Sequence, residues 1–303
     1  MPKTVKSIGE FGLIDLLKKY SFRHENIIKG IGDDTAVLFY NGQRHLLYTT
    51  DMMAEGVHFT RKARPYAIGH KAMGCNISDI AAMGGVPTFA LVSLGLPKNL
   101  SVSFVEELYK GMYDLGRTFN VSIVGGDTIA SPKIVINVAL LGEVGCEDLL
   151  TRQGAQVGDW ILTTGALGRA WKTDRHVSFT PRVREARFLV KHFKPSAMID
   201  ISDGLAADLG HILEESKVGA ELFAQDIPLN RGADLKDALG DGEDFELLFT
   251  LSPDKAERLI DWQSQNRRWF FYPIGKVIKP RGLWLINPDG KRKNLKIKGF
   301  THF

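Results

Sequence analysis

Apolar residues recur at helical spacing (Phe11, Ile14, Leu17) between Glu10 and Lys19, which predicts a short amphipathic helix. Ala36 to Tyr40 and His45 to Thr50 then read as strands joined at Asn41-Gly42, a strong hairpin signal. A helix is predicted from Ala67 to Met83, with Asp79 inside it, and a strand from Phe89 to Leu96. A second long helix spans Val102 to Phe119, followed by a buried-type strand at Val121 to Val124 and another at Ile134 to Leu141. Between Gly145 and Gly158 polar and glycine residues break the pattern, and a fresh strand starts at Trp160 to Thr164. Helices at Val183 to His192, Leu205 to Glu215 and Pro253 to Gln265 then alternate with strands near Met198 to Ile201, Ala220 to Phe223 and Phe245 to Leu251. Strands at Phe270 to Val277 and Gly282 to Ile286 precede a basic tail. Within it, KRKNLKIK alternates charge with apolar residues, as a solvated edge strand does. The alternation predicts an α/β or α+β protein of two domains.

The totals narrow the class. At 303 residues the chain is long enough for two domains, and its 44% hydrophobic and 24% charged residues are those of a soluble globular protein. A net charge of +4 helps draw in small anions but does not argue for nucleic acid. Cys75 and Cys146 have neither disulfide-framework nor metal-ligand spacing, which suits a reducing cytoplasm. No signal peptide is expected from MPKTVKSIGEFGLIDLLKKY, and no apolar run approaches the ~20 residues that span a bilayer.

Six short segments, read as turns, place acids beside glycines or hydroxyl residues. They are GIGDDTAV (Gly30 to Val37), TTDMMAEGVHF (Thr49 to Phe59), NISDIAAMGG (Asn76 to Gly85), VGGDT (Val124 to Thr128), MIDISDGL (Met198 to Leu205) and GDGEDFEL (Gly240 to Leu247). Clustered carboxylates repel unless a cation sits among them, and hard oxygen ligands of this kind suit Mg²⁺ together with substrate phosphates. Asp also caps helices and closes turns, which suffices for any one motif but not for six together. No Walker A pattern or kinase catalytic loop is present, so metals and scattered segments must hold any nucleotide triphosphate.

Taken together, GIGDDTAV, TTDMMAEGVHF, NISDIAAMGG, GGDT, DISDGL, GEDFEL and the ending KGFTHF resemble the thiamine-monophosphate kinase family, in order and spacing, from Gly9 to Phe303. DISDGL and GGDT are shared with the aminoimidazole-ribonucleotide synthetase superfamily, whereas EGVHF, GEDFEL and KGFTHF single out the thiamine enzymes. The resemblance implies ATP-dependent phosphorylation of thiamine monophosphate to thiamine diphosphate with several Mg²⁺ ions. It implies an α/β and α+β two-domain ATP-binding fold like aminoimidazole-ribonucleotide synthetase. Residues 1–148 would form an N-terminal α/β domain that dimerises through its sheet, and residues 149–303 a C-terminal α+β domain closing the cleft. A cytoplasmic homodimer without nucleic-acid or membrane partners is expected. Asp34, Asp51, Asp79, Asp127, Asp200 and Asp203 match metal ligands, with Thr49 and Thr50 as neighbouring oxygen ligands. Of these, Asp51, Asp127 and Asp203 are expected to be catalytic. Tyr109, Gly126, Asp127, Arg152 and Ser202 match nucleotide contacts, and His58, Glu243 and Phe300 match residues facing the thiamine portion.

From the residues alone, Arg152 reads equally as a surface salt bridge and His58 as a structural histidine, while a lone near-terminal Phe such as Phe300 is more often a core plug. In the resemblance, Glu243 offers opposite charge to the cationic thiazolium and Phe300 an aromatic face. Four features depart from the family pattern: a shortened segment after TTGALG, Arg169 where an acid is common, Asp241 where a glycine is common, and Ile129 after GGDT. Other superfamily members fit less well, since no cysteine precedes Cys75 and the sequence ends THF. A non-catalytic nucleotide or metal sensor would have less need of the full ligand set.

Overall fold

The computed structural model describes residues 4–20 and 24–296. Helix α1 (Val5–Lys18) is capped by Thr4 and kinked at Gly9, whose φ of +68° interrupts the helix. Six strands follow: β1 (Ile27–Lys29), β2 (Ala36–Phe39), β3 (Arg44–Ala54), β4 (Val86–Leu96), β5 (Ser122–Ala130) and β6 (Val135–Gly145). They form one sheet in the order β1-β2-β3-β6-β4-β5, antiparallel except for the β4/β5 edge pair. Asn41 turns the β2–β3 hairpin, its Oδ1 accepting the N–H groups of Gln43 and Arg44.

Burial alternates strictly along β6, because one sheet face is covered by helices and the other is open. Helix α2 (Pro65–Ala82) lies on the covered face and is buried along most of its length; α3 (Val102–Thr118) packs beside it. The two helices touch through glycines. A Cβ on Gly69 would sit 1.9 Å from the Leu108 carbonyl oxygen, and one on Gly111 1.9 Å from that of Tyr66. The open face exposes Tyr48, Met52, Phe89, Leu91 and Ile129.

The second half contains β7 (Trp160–Thr163), α4 (Val183–His192), β8 (Ala197–Asp200), α5 (Leu205–Ser216), β9 (Gly219–Phe223), α6 (Leu235–Gly240), β10 (Leu247–Leu251), α7 (Pro253–Asn266), β11 (Tyr272–Ile278), β12 (Gly282–Ile286) and β13 (Arg292–Leu295). Its seven-stranded sheet runs β13-β12-β9-β11-β7-β10-β8. Every residue of β8 and β10 is buried, and all but Asp200 and Thr250 are apolar. Ile161, Ile199 and Leu248 point into a core with α5, while Leu162, Met198 and Phe249 join the core beneath α4 and α7. That second core is continuous with the one between α2 and the first sheet, so the two halves pack as one body.

Three of the six acidic segments are not turns. TTD lies inside β3 and the serine–aspartate pair Ser78-Asp79 inside α2. GGDT belongs to β5, which continues to Ala130 because Gly125 to Ala130 pair in register with Leu91 to Leu96 beyond a bulge. The strand expected from Phe245 instead starts at Leu247, since Phe245 has a φ of +51°. The basic tail does form an edge strand, β13.

Candidate active site

Carboxylates from both halves converge where α2 meets the end of β8. Asp34 comes from the turn after β1, Asp79 from the last turn of α2, and Asp200 from the end of β8; one carboxylate oxygen of each lies within 4.8 Å of the others. Thr49 Oγ1, pointing inward from β3, donates to Asp79 Oδ2 at 2.6 Å. Ser78 Oγ donates to Asp200 Oδ2 at 2.5 Å and so ties the two halves together. Arg152, in the connection between the sheets, reaches Asp34 Oδ1 through Nη2 at 2.6 Å and Nε at 3.3 Å.

Burial dominates the electrostatics of this cluster. It pushes the Asp34 carboxyl up to about 7, against the opposing pull of Arg152 and with help from Asp200 and Asp33. Burial likewise raises Asp51 to about 6, opposed by Lys71, and Asp200 to about 6, opposed by the Ser78 hydrogen bond. Asp79 is raised well above its ordinary value by burial and by Asp51, Asp200 and Asp34. The one guanidinium beside Asp34 does not balance this charge, and Asp34 Oδ2 is buried without a hydrogen-bond partner. The donor set is all oxygen, and a divalent hard cation fits it.

Two cavities flank the cluster. The larger, about 1010 Å³, opens beside Arg152 and Asp203 and has apolar walls from Phe11, Ile14 and Ile31. His211 also lines it, 5.0 Å from the Phe11 ring, and burial lowers its pKa to about 4, which keeps it neutral. The smaller, about 310 Å³, is lined by Asp51, His58, Lys71, Ser202 and Glu243. Cys75 also borders it, but burial pushes that thiol well above its ordinary value, so it is not an activated nucleophile.

The AIR synthase related protein, N-terminal domain, matches residues 32–144, and the AIR synthase related protein, C-terminal domain, matches residues 175–285. The thiamine-monophosphate kinase of Aquifex aeolicus is 35% identical, with 99% of each chain covered. That of Bacillus subtilis is 33% identical over 98% of this chain and 100% of its own. This chain belongs to the thiamine-monophosphate kinase family. A solved structure described as AaThiL complexed with AMPPCP and TMP superposes over 100% of both chains with a TM-score of 0.86 at 35% identity. The hydrogenase maturation protein HypE in complex with ATP shares the fold at 20% identity, with a TM-score of 0.71.

Against the family pattern, the structure brings together Asp34, Thr49, Asp51, Asp79, Arg152, Asp200, Ser202, Asp203, His58 and Glu243 around the cluster and the cavities beside it. It does not bring Thr50 or Asp127 there within one chain. The Thr50 hydroxyl lies on the open sheet face, 3.1 Å from Asn137 Oδ1. Asp127 is exposed on that same face, in register with Ser93, which itself faces Asn137. Strand period explains both: Thr49 and Asp51 point to the helices, so Thr50 points away. Gly126 is required where β5 meets β4, since a Cβ there would lie 1.8 Å from the Val92 carbonyl oxygen. Tyr109 packs from α3 against the N-terminal core. Phe300 lies outside the described residues.

Two departures from the family pattern meet each other. The Arg169 N–H donates to Asp241 Oδ2 at 3.3 Å, and its guanidinium binds the Gly232 carbonyl, so the shortened loop is fastened to the segments on either side of α6. The sequence reading missed Lys71, a buried lysine in the apolar helix α2, although a lysine inside PYAIGHKAMGCNISDIAA is itself a signal. It also missed Glu246, buried and gripped by Arg182 through Nε at 2.7 Å and Nη2 at 2.6 Å.

Proposed function

We propose that this protein transfers the terminal phosphoryl group of ATP to thiamine monophosphate, forming thiamine diphosphate. The observation that carries the reading is the convergence of five carboxylates, from both halves of the chain, between a large cavity and a small one. The AaThiL complex, with AMPPCP and TMP bound, supports this assignment of nucleotide and acceptor.

The larger cavity takes the nucleotide, with Arg152 at its wall directed at the phosphates and Ser202 reaching them from the wall of the smaller cavity next to it, while the contacts of Tyr109 and Gly126 are proposed for the dimer. The smaller takes the acceptor, beside His58 and Glu243, and Phe300 is assigned to its thiamine portion by the family pattern. Asp34, Asp51, Asp79, Asp200 and Asp203, with Thr49, would hold Mg²⁺, which neutralises the repulsion between two polyanions and the charge on the transferred group. The acceptor phosphate is its own nucleophile: with a second pKa of about 6 it is mostly dianionic at neutral pH and needs no strong base. His58 supports this division of labour. Its Nδ1 accepts the Ala54 N–H at 3.1 Å, which leaves the ring's proton on Nε2 and fixes the orientation of the imidazole at the acceptor cavity. Transfer is direct, and no phosphoenzyme forms.

The reading includes a cytoplasmic homodimer, with residues 1–148 and 149–303 as the two domains. The open sheet face, where Met52 is 63% and Phe89 50% exposed, offers the apolar surface for a second copy. Thr50, Gly126 and Asp127 lie on or beside that face, and their metal and nucleotide roles are proposed for the dimer. Among the described residues no helix is long and apolar enough to cross a membrane.

A coupled assay with ATP, Mg²⁺ and thiamine monophosphate tests the proposal. ADP release that depends on thiamine monophosphate, with matching thiamine diphosphate, is expected. Nucleotide binding without turnover would instead indicate a sensor.

A further inference from the structure

Lys71 is 1% exposed, and its ammonium is committed to two contacts. Nζ donates to Glu243 Oε1 at 2.6 Å and to the carbonyl oxygen of His58 at 2.9 Å. These partners are the two described residues that line the acceptor cavity on the side expected to face thiamine, and they come from different halves of the chain. A buried lysine is rare because its charge must be matched, so one whose hydrogen bonds join these two groups has a specific task.

The segment bearing Glu243 is itself held under strain. Gly242, Glu243 and Phe245 have φ values of +70°, +58° and +51°. Non-glycine residues adopt such angles at a cost, and the surroundings must enforce them. Here the Glu243 N–H donates to the Ser202 carbonyl at 2.7 Å and the Phe245 N–H to that of Ile201 at 2.8 Å. Phe245 also stacks on Phe179 at 4.1 Å. The result is a carboxylate delivered over Lys71 with its second oxygen, Oε2, buried in the cavity wall and without a hydrogen-bond partner. Burial raises the Glu243 carboxyl above its ordinary value, and Lys71 opposes that rise, which favours the ionised form.

We propose that Lys71 is a positioning residue for the acceptor: it holds Glu243 so that Oε2 accepts a hydrogen bond from an N–H group of the acceptor's aminopyrimidine. The inference rests on the acceptor assignment made above. Glu243 is then not a bare counter-charge for the thiazolium, because its Oε1 is already paired with Lys71. The pair recognises a neutral donor.

The test compares wild type with Lys71→Met, Glu243→Gln and the double variant in the same coupled assay, measuring both KM values and kcat. Each single variant and the double are expected to raise the KM for thiamine monophosphate about tenfold, with the KM for ATP within twofold of wild type. Because the two side chains act as one unit, the double variant should be no worse than either single one. If Lys71→Met does not fold, Lys71→Gln, whose amide keeps a donor for the His58 carbonyl oxygen but has no charge to hold Glu243, takes its place with the same expectation. An unchanged acceptor KM in the Lys71 variant overturns the proposal. So does an equal rise in both KM values, or a multiplied effect of roughly a hundredfold in the double variant. Failure of the wild-type protein to use thiamine monophosphate would refute the acceptor assignment instead.

Discussion

Replacing Asp79 by Asn should stabilise the metal-free protein while abolishing its response to Mg²⁺. Asn keeps the shape of the side chain and an oxygen for the Thr49 hydroxyl, which donates at 2.6 Å. It removes a carboxyl, itself raised well above its ordinary value, that must either carry charge beside two others with oxygens within 4.8 Å or hold a proton. At that separation and an effective dielectric of about 20, each pair of unit charges repels by roughly 3 kcal/mol. Two neighbours, Asp34 and Asp200, are relieved. Their folded-state values of about 7 and about 6 leave both largely ionised at pH 8. Relaxation and residual protonation offset part of the gain, so we expect a net stabilisation of about 3 kcal/mol at pH 8, or roughly 6 °C. The pH dependence has a definite sign. These carboxyls titrate above their ordinary value of 3.8, so between roughly pH 4 and 7 the metal-free folded protein binds more protons than the unfolded chain. Its stability falls as pH rises through that window. Added Mg²⁺ should therefore raise the melting temperature more at pH 8 than at pH 5.5 in wild type, and hardly at all in Asp79→Asn. Differential scanning calorimetry in EDTA and in Mg²⁺ at both pH values measures this. A metal-free Asp79→Asn protein that melts at or below wild type at pH 8, or that keeps the full Mg²⁺ response, would refute the electrostatic account.

Arg182→Met removes the bidentate partner of the buried Glu246 carboxylate, leaving it the Thr164 hydroxyl at 2.7 Å and Arg175 at 3.6 Å, and should cost about 2–3 kcal/mol in urea unfolding. Gly126→Ala puts a Cβ into the Val92 carbonyl oxygen at the β4–β5 edge, and should destabilise by about 2–3 kcal/mol, read as a lower melting temperature. Phe300→Ala should raise the KM for thiamine monophosphate roughly tenfold, about 1.4 kcal/mol, with the KM for ATP nearly unchanged. A core plug would show instead as a melting-temperature loss with both KM values affected alike.

Local chemistry made much of this protein legible from its sequence. Period-two burial in β3 and β6, helical spacing in α3 and α4, and the Asn41-Gly42 turn are each fixed by a few neighbouring residues. The acids of the cluster were legible too, because six such motifs together exceed what helix caps and turns call for. Their grouping was not. Strand period says that Thr49 and Thr50 face opposite ways, but only the packing of α2 decides which one meets the acids. GGDT looked like a turn because glycines punctuate loops; long-range pairing with β4 made it a strand and put Asp127 on the open face. The Lys71–Glu243 pair spans 172 residues. No local pattern encodes such a contact, since both the helix that buries the lysine and the strained segment that delivers the glutamate exist only once the two sheets pack together.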